Sequence, residues 1–260
     1  MQKVKPLKKF GQNYLWDQNI INKIVDEIAP ENDDNLIEIG PGLGSLTNKL
    51  LERTNTITAV EIDTRVIEIL SGKYPGLDLI REDFLQTDLQ ELYSKKNKLL
   101  RITGNIPFNI TSSVLFKIIE NNNIIKDAVL MLQHEVAQRI AATRGTKEYG
   151  ILAVLLGYFA EIKLCFKVSP NVFYPKPKVY SAVVHIYIKE IKMDTEEKEL
   201  FINIVKAAFG HRRKTLKNSL SNSIFKFINF SNSDIDLSLR AEQLKINDFL
   251  KLTKFVKNKF

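Results

Sequence analysis

Within Thr103-Gly-Asn-Ile-Pro-Phe-Asn-Ile-Thr-Ser112 stand groups suited to handling a planar base. An exocyclic adenine amine is a poor nucleophile because its lone pair is delocalised into the ring. Asn105 offers an amide oxygen, and the Pro107 carbonyl offers a second acceptor. Two acceptors aimed at the amine hydrogens favour pyramidalisation and turn the lone pair toward an electrophile, a positioning effect that requires no carboxylate base. Pro107 has no amide donor to compete there. Phe108 provides a face on which an extruded base stacks, worth ~1 to 3 kcal/mol. Phe173 can close the other face from a loop, Ser169 to Lys178, stiffened by Pro170, Pro175 and Pro177. The structural alternative is a proline turn in which Asn109 or Thr111 caps a helix containing Val114, Leu115, Ile118 and Ile119.

A second constellation points to the electrophile. Leu36-Ile-Glu-Ile-Gly-Pro-Gly-Leu-Gly44 is an apolar strand running into a glycine-rich turn, where Gly40 and Gly42 let backbone approach a ligand closely. Glu61, followed by Ile62, stands about 20 residues beyond the first glycine, where a carboxylate accepts hydrogen bonds from both ribose hydroxyls. Asp83 and Phe84 follow the third strand and can read and pack on an adenine, although Asp83 alone also suits a helix cap. Dinucleotide-binding turns read G-x-G-x-x-G, whereas Ser45 occupies the last position here. That disfavours a pyrophosphate and hence NAD. S-adenosyl-L-methionine carries no phosphate, and its ammonium matches a carboxylate such as Glu38, which can equally be structural.

These residues need a scaffold. Strand-like runs recur at Leu36–Ile39, Thr56–Val60, Leu77–Ile80, Leu99–Thr103 and Ala128–Leu132, separated by helical patterns. Such alternation predicts βαβ units and a parallel sheet. Glu161–Val168 and Ser181–Ile188 read as two further strands at an antiparallel edge, and from about Asp194 the pattern is helical. The expected organisation is therefore a Rossmann-like catalytic domain over 1–190 and a small all-helical domain over 191–260.

The 260 residues are 44% hydrophobic and 26% charged, which suits a folded globular chain. The longest apolar run, Ile151 to Ala160, is about half the roughly 20 residues a bilayer-spanning helix needs, and reads as a buried core helix. The N-terminal stretch has no secretory pattern, and Cys165 is the only cysteine, which excludes an internal disulfide and argues against a cysteine zinc site. A cytoplasmic, membrane-free and metal-free protein is expected. His134 and His185 have no spacing partners for a metal or a triad, and neither is assigned chemistry. The net charge of +8 is compatible with a polyanionic partner, but a compositional bias toward Lys, Asn and Ile gives the same number.

Taken together, several segments resemble the ribosomal RNA adenine N6-dimethyltransferase family, most closely its KsgA-type small-subunit branch. They are Lys8-Lys-Phe-Gly-Gln-Asn-Tyr-Leu15, Glu38-Ile-Gly-Pro-Gly-Leu-Gly44, Val60-Glu-Ile-Asp63, Gly104-Asn-Ile-Pro-Phe-Asn-Ile110, Pro175-Lys-Pro-Lys-Val179, Phe209-Gly-His-Arg-Arg-Lys-Thr-Leu216 and Arg240-Ala-Glu-Gln-Leu244. The resemblance implies that Asn13 and Leu15 join Gly40, Glu61, Asp83 and Asn105 around the cofactor, with the N-terminal segment as a lid. It also implies transfer of four methyl groups to two adjacent adenosines near the 3′ end of small-subunit RNA. A monomer acting on a pre-assembled small ribosomal subunit is expected. Where the family often has Asn-Leu-Pro-Tyr, this chain has Asn105-Ile-Pro-Phe108, which removes a hydroxyl and keeps the stacking face. The C-terminal segment from Arg212, with Arg213, Lys214 and Lys217, is expected to carry RNA affinity; a solvated helix face is the alternative. Two other functions stay open: a large-subunit RNA methyltransferase of the macrolide-resistance type, which shares the catalytic half, and a non-catalytic RNA-binding assembly factor.

Overall fold

The computed structural model describes residues 5–211 and 213–259, so Arg212 lies outside the described residues. The main sheet contains β1 (Asn35–Ile39), β2 (Ile57–Val60), β3 (Asp78–Ile80), β4 (Leu100–Asn105), β5 (Ile125–Gln133), β6 (Ala160–Val168) and β7 (Ser181–Ile188), in spatial order β3-β2-β1-β4-β5-β7-β6. β1 pairs in parallel with β2 and β4, β3 with β2, and β5 with β4; β7 runs antiparallel to β5. This is the Rossmann-like α/β sheet the alternating pattern predicts. The order reverses beside β1, because the chain leaves β3 and re-enters on the far side at β4. Ligands bind at the carboxyl ends of strands flanking such a switch.

The helices are α1 (Gln18–Ile28), α2 (Ser45–Leu51), α3 (Thr64–Lys73), α4 (Leu89–Lys96), α5 (Thr111–Glu120), α6 (His134–Ile140), α7 (Ile151–Phe159), α8 (Thr195–Phe209), α9 (Leu216–Ser221) and α10 (Ile246–Lys257). Asp17 starts α1 by accepting from the Ile20 amide at 3.0 Å. One stripe of α1, Ile21, Ile24, Val25 and Ile28, is buried with Leu36, Val129 and Val183 of the sheet. Each such aliphatic side chain contributes about 1.5 to 3 kcal/mol by leaving water. At α5 the N-cap is Ile110, which makes no side-chain bond. The cap expected from Asn109 or Thr111 is not formed; the Thr111 hydroxyl instead donates to the Pro107 carbonyl at 3.2 Å.

A buried ionic network ties α1 to the sheet. The Arg101 guanidinium on β4 lies 2.8 Å from Asp127 and 2.6 Å from Asp34, and donates to the carbonyl of Ile28 at 2.6 Å. His185 on β7 is held between carboxylates, with Nδ1 2.7 Å from Glu27 and Nε2 3.0 Å from Asp127. Burial raises the Asp127 pKa, but the hydrogen bonds from His185 and Arg101 outweigh it and hold the carboxyl below its ordinary range. His185, without partners in the linear sequence, is thus a structural crosslink.

The chain makes two compact units, one of residues up to 137 with 161–188, the other of 138–160 with 189–260. The sequence pattern suggests one cut at 190, whereas α7 groups with the C-terminal helices. There Phe159 meets Phe201 with ring centroids 6.0 Å apart, and a side chain at Gly157 would crowd Ile246, its Cβ only 3.0 Å away. Among the described residues no strand follows Ile188.

Candidate active site

At the carboxyl ends of β1, β2 and β4 the first unit opens into a cleft with about 1180 Å³ of empty space, including its open mouth. Every cofactor and base-handling residue expected from the sequence lines it: Asn13, Leu15, Gly40, Gly42, Glu61, Ile62, Asp83, Phe84, Asn105, Pro107, Phe108 and Phe173. Ser45, Glu38, Gln12 and Tyr14 line it as well. The parallel strands bring these segments together because each one ends at the same edge of the sheet.

Glu61 is buried at the end of β2, and the surrounding backbone orients it. One carboxylate oxygen accepts from the amides of Ile62 and Asp63 at 2.9 Å each, and the other from Gly42 at 3.3 Å. Burial raises its pKa, and these three donors oppose that rise. Asp83 accepts from the Leu85 amide at 2.9 Å, so it does cap the turn after β3 while still lining the cleft. The Phe84 ring is buried, with the Lys117 ammonium 5.6 Å from its centre. At Gly104 an added Cβ would sit 2.5 Å from the Ile39 carbonyl, so only glycine lets β4 pass β1 immediately before Asn105.

The Asn105 side chain is anchored by one end. Its Nδ2 donates to the Asn13 carbonyl at 2.8 Å, which leaves the amide oxygen as the acceptor for a ligand. The Pro107 carbonyl is more occupied than the sequence implies: it accepts from the Ile110 amide at 3.1 Å and the Thr111 hydroxyl at 3.2 Å. A substrate amine would share it with both donors.

Gln12, Tyr14 and Asp63 are not singled out by residue type or spacing, although all three lie in the family-like segments. Gln12 donates to Asp63 at 2.9 Å, and Asp63 is clamped by the Arg65 guanidinium at 2.6 Å. Tyr14–Leu15 forms a short antiparallel ladder with Phe173–Tyr174, in which Leu15 faces Phe173 and Tyr14 faces Tyr174. The N-terminal segment is therefore fastened to Asp63 after β2, to Asn105 and to the proline loop.

Two buried groups in the cleft have no hydrogen-bond partner, the Tyr14 hydroxyl and one Glu38 carboxyl oxygen. Burial, with nearby Asp63 and Glu61, pushes the Tyr14 phenol up to about 12. Burial, opposed by hydrogen bonding from Thr47 and reinforced by the Glu61 charge, pushes the Glu38 carboxyl up to about 7. Buried polar groups are nearly always satisfied, so a ligand with a cation for Glu38 and an acceptor for Tyr14 fits the methionine end of S-adenosylmethionine. Glu61, Ile62, Asp83 and Phe84 suit its adenosine end.

In the second unit, Arg213, Lys214 and Lys217 are exposed around the start of α9. No helix among the described residues is long and apolar enough to cross a membrane.

Sheet order, glycine turn and strand-end carboxylate together define the Rossmann-like fold of S-adenosylmethionine-dependent methyltransferases. Within that class, the family model described as ribosomal RNA adenine dimethylase matches residues 4–258. Ribosomal RNA small subunit methyltransferase A of Chlorobium phaeobacteroides is 47% identical over 95% of this chain and 92% of its own length. The protein of that name from Francisella tularensis subsp. novicida is 42% identical over 98% of both chains. A crystal structure of a dimethyladenosine transferase from Plasmodium falciparum superposes with a TM-score of 0.76 at 26% identity, covering 95% of this chain and 98% of the other. The 23S rRNA methyltransferase ErmE shares the fold, with a TM-score of 0.64 at 24% identity over 94% of this chain and 100% of its own. The chain belongs to the ribosomal RNA adenine dimethylase family.

Proposed function

We propose that this protein uses S-adenosyl-L-methionine to dimethylate N6 of two adjacent adenosines near the 3′ end of small-subunit ribosomal RNA. It acts as a monomer in the cytoplasm, on a pre-assembled small subunit during ribosome biogenesis. The observation that carries the proposal is the convergence on one cleft of the Asn105 amide oxygen, the Phe108 and Phe173 rings, and the unpartnered oxygen of the Glu38 carboxyl. When bound, the cofactor supplies an electrophilic methyl group. Glu61 would accept from the ribose hydroxyls, Asp83 and Phe84 would hold the adenine, Glu38 would pair with the ammonium, and Asn13, Leu15, Gly40, Gly42 and Ile62 would form the remaining wall.

Toward the substrate, Asn105 would accept from the amine of a flipped adenosine, with the Pro107 carbonyl as a shared second acceptor, while Phe108 and Phe173 hold the ring. A monomethylated amine keeps one hydrogen and a lone pair, so a site that orients the amine without a fixed base can act on it again. Arg213, Lys214 and Lys217, with Arg212, would bind phosphates. Relatives named for the small subunit, at 42% and 47% identity, favour that RNA over the large-subunit alternative. The test is incubation with labelled S-adenosylmethionine and separated subunits from cells lacking the modification. Dimethyladenosine in small-subunit RNA is expected; label confined to large-subunit RNA overturns the substrate assignment, and monomethyladenosine as sole end product overturns double transfer.

A further inference from the structure

The short ladder at the cleft rim has two faces. Leu15 and Phe173 sit opposite each other, are buried, and line the cleft. Strand side chains alternate in direction, so Tyr14, Trp16 and Tyr174 share the other face; Tyr14 turns into the cleft, and the other two stay exposed beside it. Trp16 is 57% exposed and Tyr174 is 66% exposed. The Trp16 amide donates to the Val172 carbonyl at 3.1 Å, which extends the ladder beyond Leu15 and makes Trp16 a diagonal neighbour of Tyr174. Diagonal neighbours on a strand pair are within reach of each other when the side chains are aromatic.

Single exposed apolar residues are common and need no explanation. Two large exposed aromatics on the face that carries Tyr14, each one residue along the chain from a cleft-lining side chain, are a more specific arrangement. Adjacent Cα atoms lie ~3.8 Å apart, so this face begins immediately outside the cleft mouth. Exposed Lys176 and Lys178 follow Tyr174 on the same loop. Flat aromatic faces followed by exposed lysines match the chemistry of unpaired RNA, whose bases stack and whose phosphates attract lysine.

Building on the proposed RNA substrate, we infer that Trp16 and Tyr174 form a stacking platform for the unpaired nucleotide adjoining the adenosine in the cleft, with Lys176 and Lys178 on the connecting phosphates. The platform gives the site a place for the second of two adjacent adenosines while the first is methylated. It holds a base outside the reaction centre and does not touch the cofactor.

Trp16 is the only tryptophan in the chain, so its fluorescence reports on this face alone. The full-length protein is titrated with unmodified small subunits and with their isolated RNA, and Trp emission is compared with binding measured independently by sedimentation. Quenching that saturates with binding of the isolated RNA is expected; unchanged emission on RNA-bound protein overturns the platform. If RNA-free small-subunit proteins quench Trp16 while RNA does not, the face docks protein and the proposal fails. In parallel, Trp16→Ala and Tyr174→Ala should each weaken subunit binding about 5- to 150-fold, the loss of one base–aromatic stack. Trp16→Phe should restore most of it, and S-adenosylmethionine affinity should stay unchanged throughout. Equal subunit affinity in the wild type and the double alanine variant also overturns the platform. Wild-type protein that is quenched by RNA yet transfers no methyl group would leave the platform standing and sink the proposed reaction instead.

Discussion

Replacing Glu38 by glutamine separates the cost of a buried carboxylate from its use. In the ligand-free protein Glu38 is buried at the end of β1 and its pKa is raised from 4.5 to about 7. The folded state thus prefers the neutral acid. Its stabilising contribution is complete below pH 4.5, declines as the pH rises from 4.5 through 7, and is absent above. At ~1.4 kcal/mol per pH unit, the decline amounts to about 3 kcal/mol. Glu38→Gln is neutral at every pH, so its stability relative to wild type should grow by about 3 kcal/mol between pH 4.5 and pH 7 and then level. Urea denaturation of both proteins from pH 4.5 to 8.5 measures the gap. A bound ammonium reverses the preference, because a cation beside Glu38 favours its ionised form. Cofactor binding by wild type near pH 6 should therefore release a proton, visible by calorimetry as an enthalpy that varies with the ionisation heat of the buffer. In the glutamine variant that release should vanish, and at pH 8 affinity should fall roughly 10- to 150-fold, as for a hydrogen bond to a charged group. A stability gap independent of pH, together with identical proton release in both proteins, would refute the reasoning.

Glu61→Ala removes a carboxylate held by three backbone amides, and S-adenosylmethionine affinity should fall roughly 10- to 150-fold by calorimetry; unchanged affinity rejects the ribose assignment. Asn105→Ala should lower single-turnover methyl transfer by about 100-fold, the scale of a misplaced reactant. Asn105→Asp keeps an acceptor oxygen but loses the donor to Asn13, so it should retain more transfer than alanine while weakening cofactor binding. Arg101→Leu leaves Asp127 and Asp34 buried without their cation, and should cost about 3 to 5 kcal/mol in a denaturant titration. Neutralising Arg213, Lys214 and Lys217 should flatten the salt dependence of RNA binding by about 0.7 to 0.9 log units for each phosphate left without its cation; an unaltered slope means that those cations face solvent.

Much of the cleft is written in contiguous segments. The glycine turn after β1, Glu61 after β2, Asp83 after β3 and Asn105 after β4 are each a strand followed by its own loop, and parallel strands deliver such loops to one edge. Short apolar runs between helical patterns, with alternation in Ser181–Ile188, suffice to place all seven strands, because burial of a sheet leaves that mark locally. Pairings between distant segments leave no comparable trace. Tyr14–Leu15 becomes a strand only because Phe173–Tyr174 lies beside it. His185 looks isolated in the sequence because its partners, Glu27 and Asp127, lie 158 and 58 residues away. The apolar helix α7 carries no label for which neighbours will cover it, since a helix greasy on most of its surface packs equally well in several directions. Sequence by itself therefore determined the sheet and the chemistry at its strand ends. Which remote segments line the cleft, satisfy the buried charges and surround α7 was decided by tertiary structure, because those choices depend on complementary partners that only folding brings together.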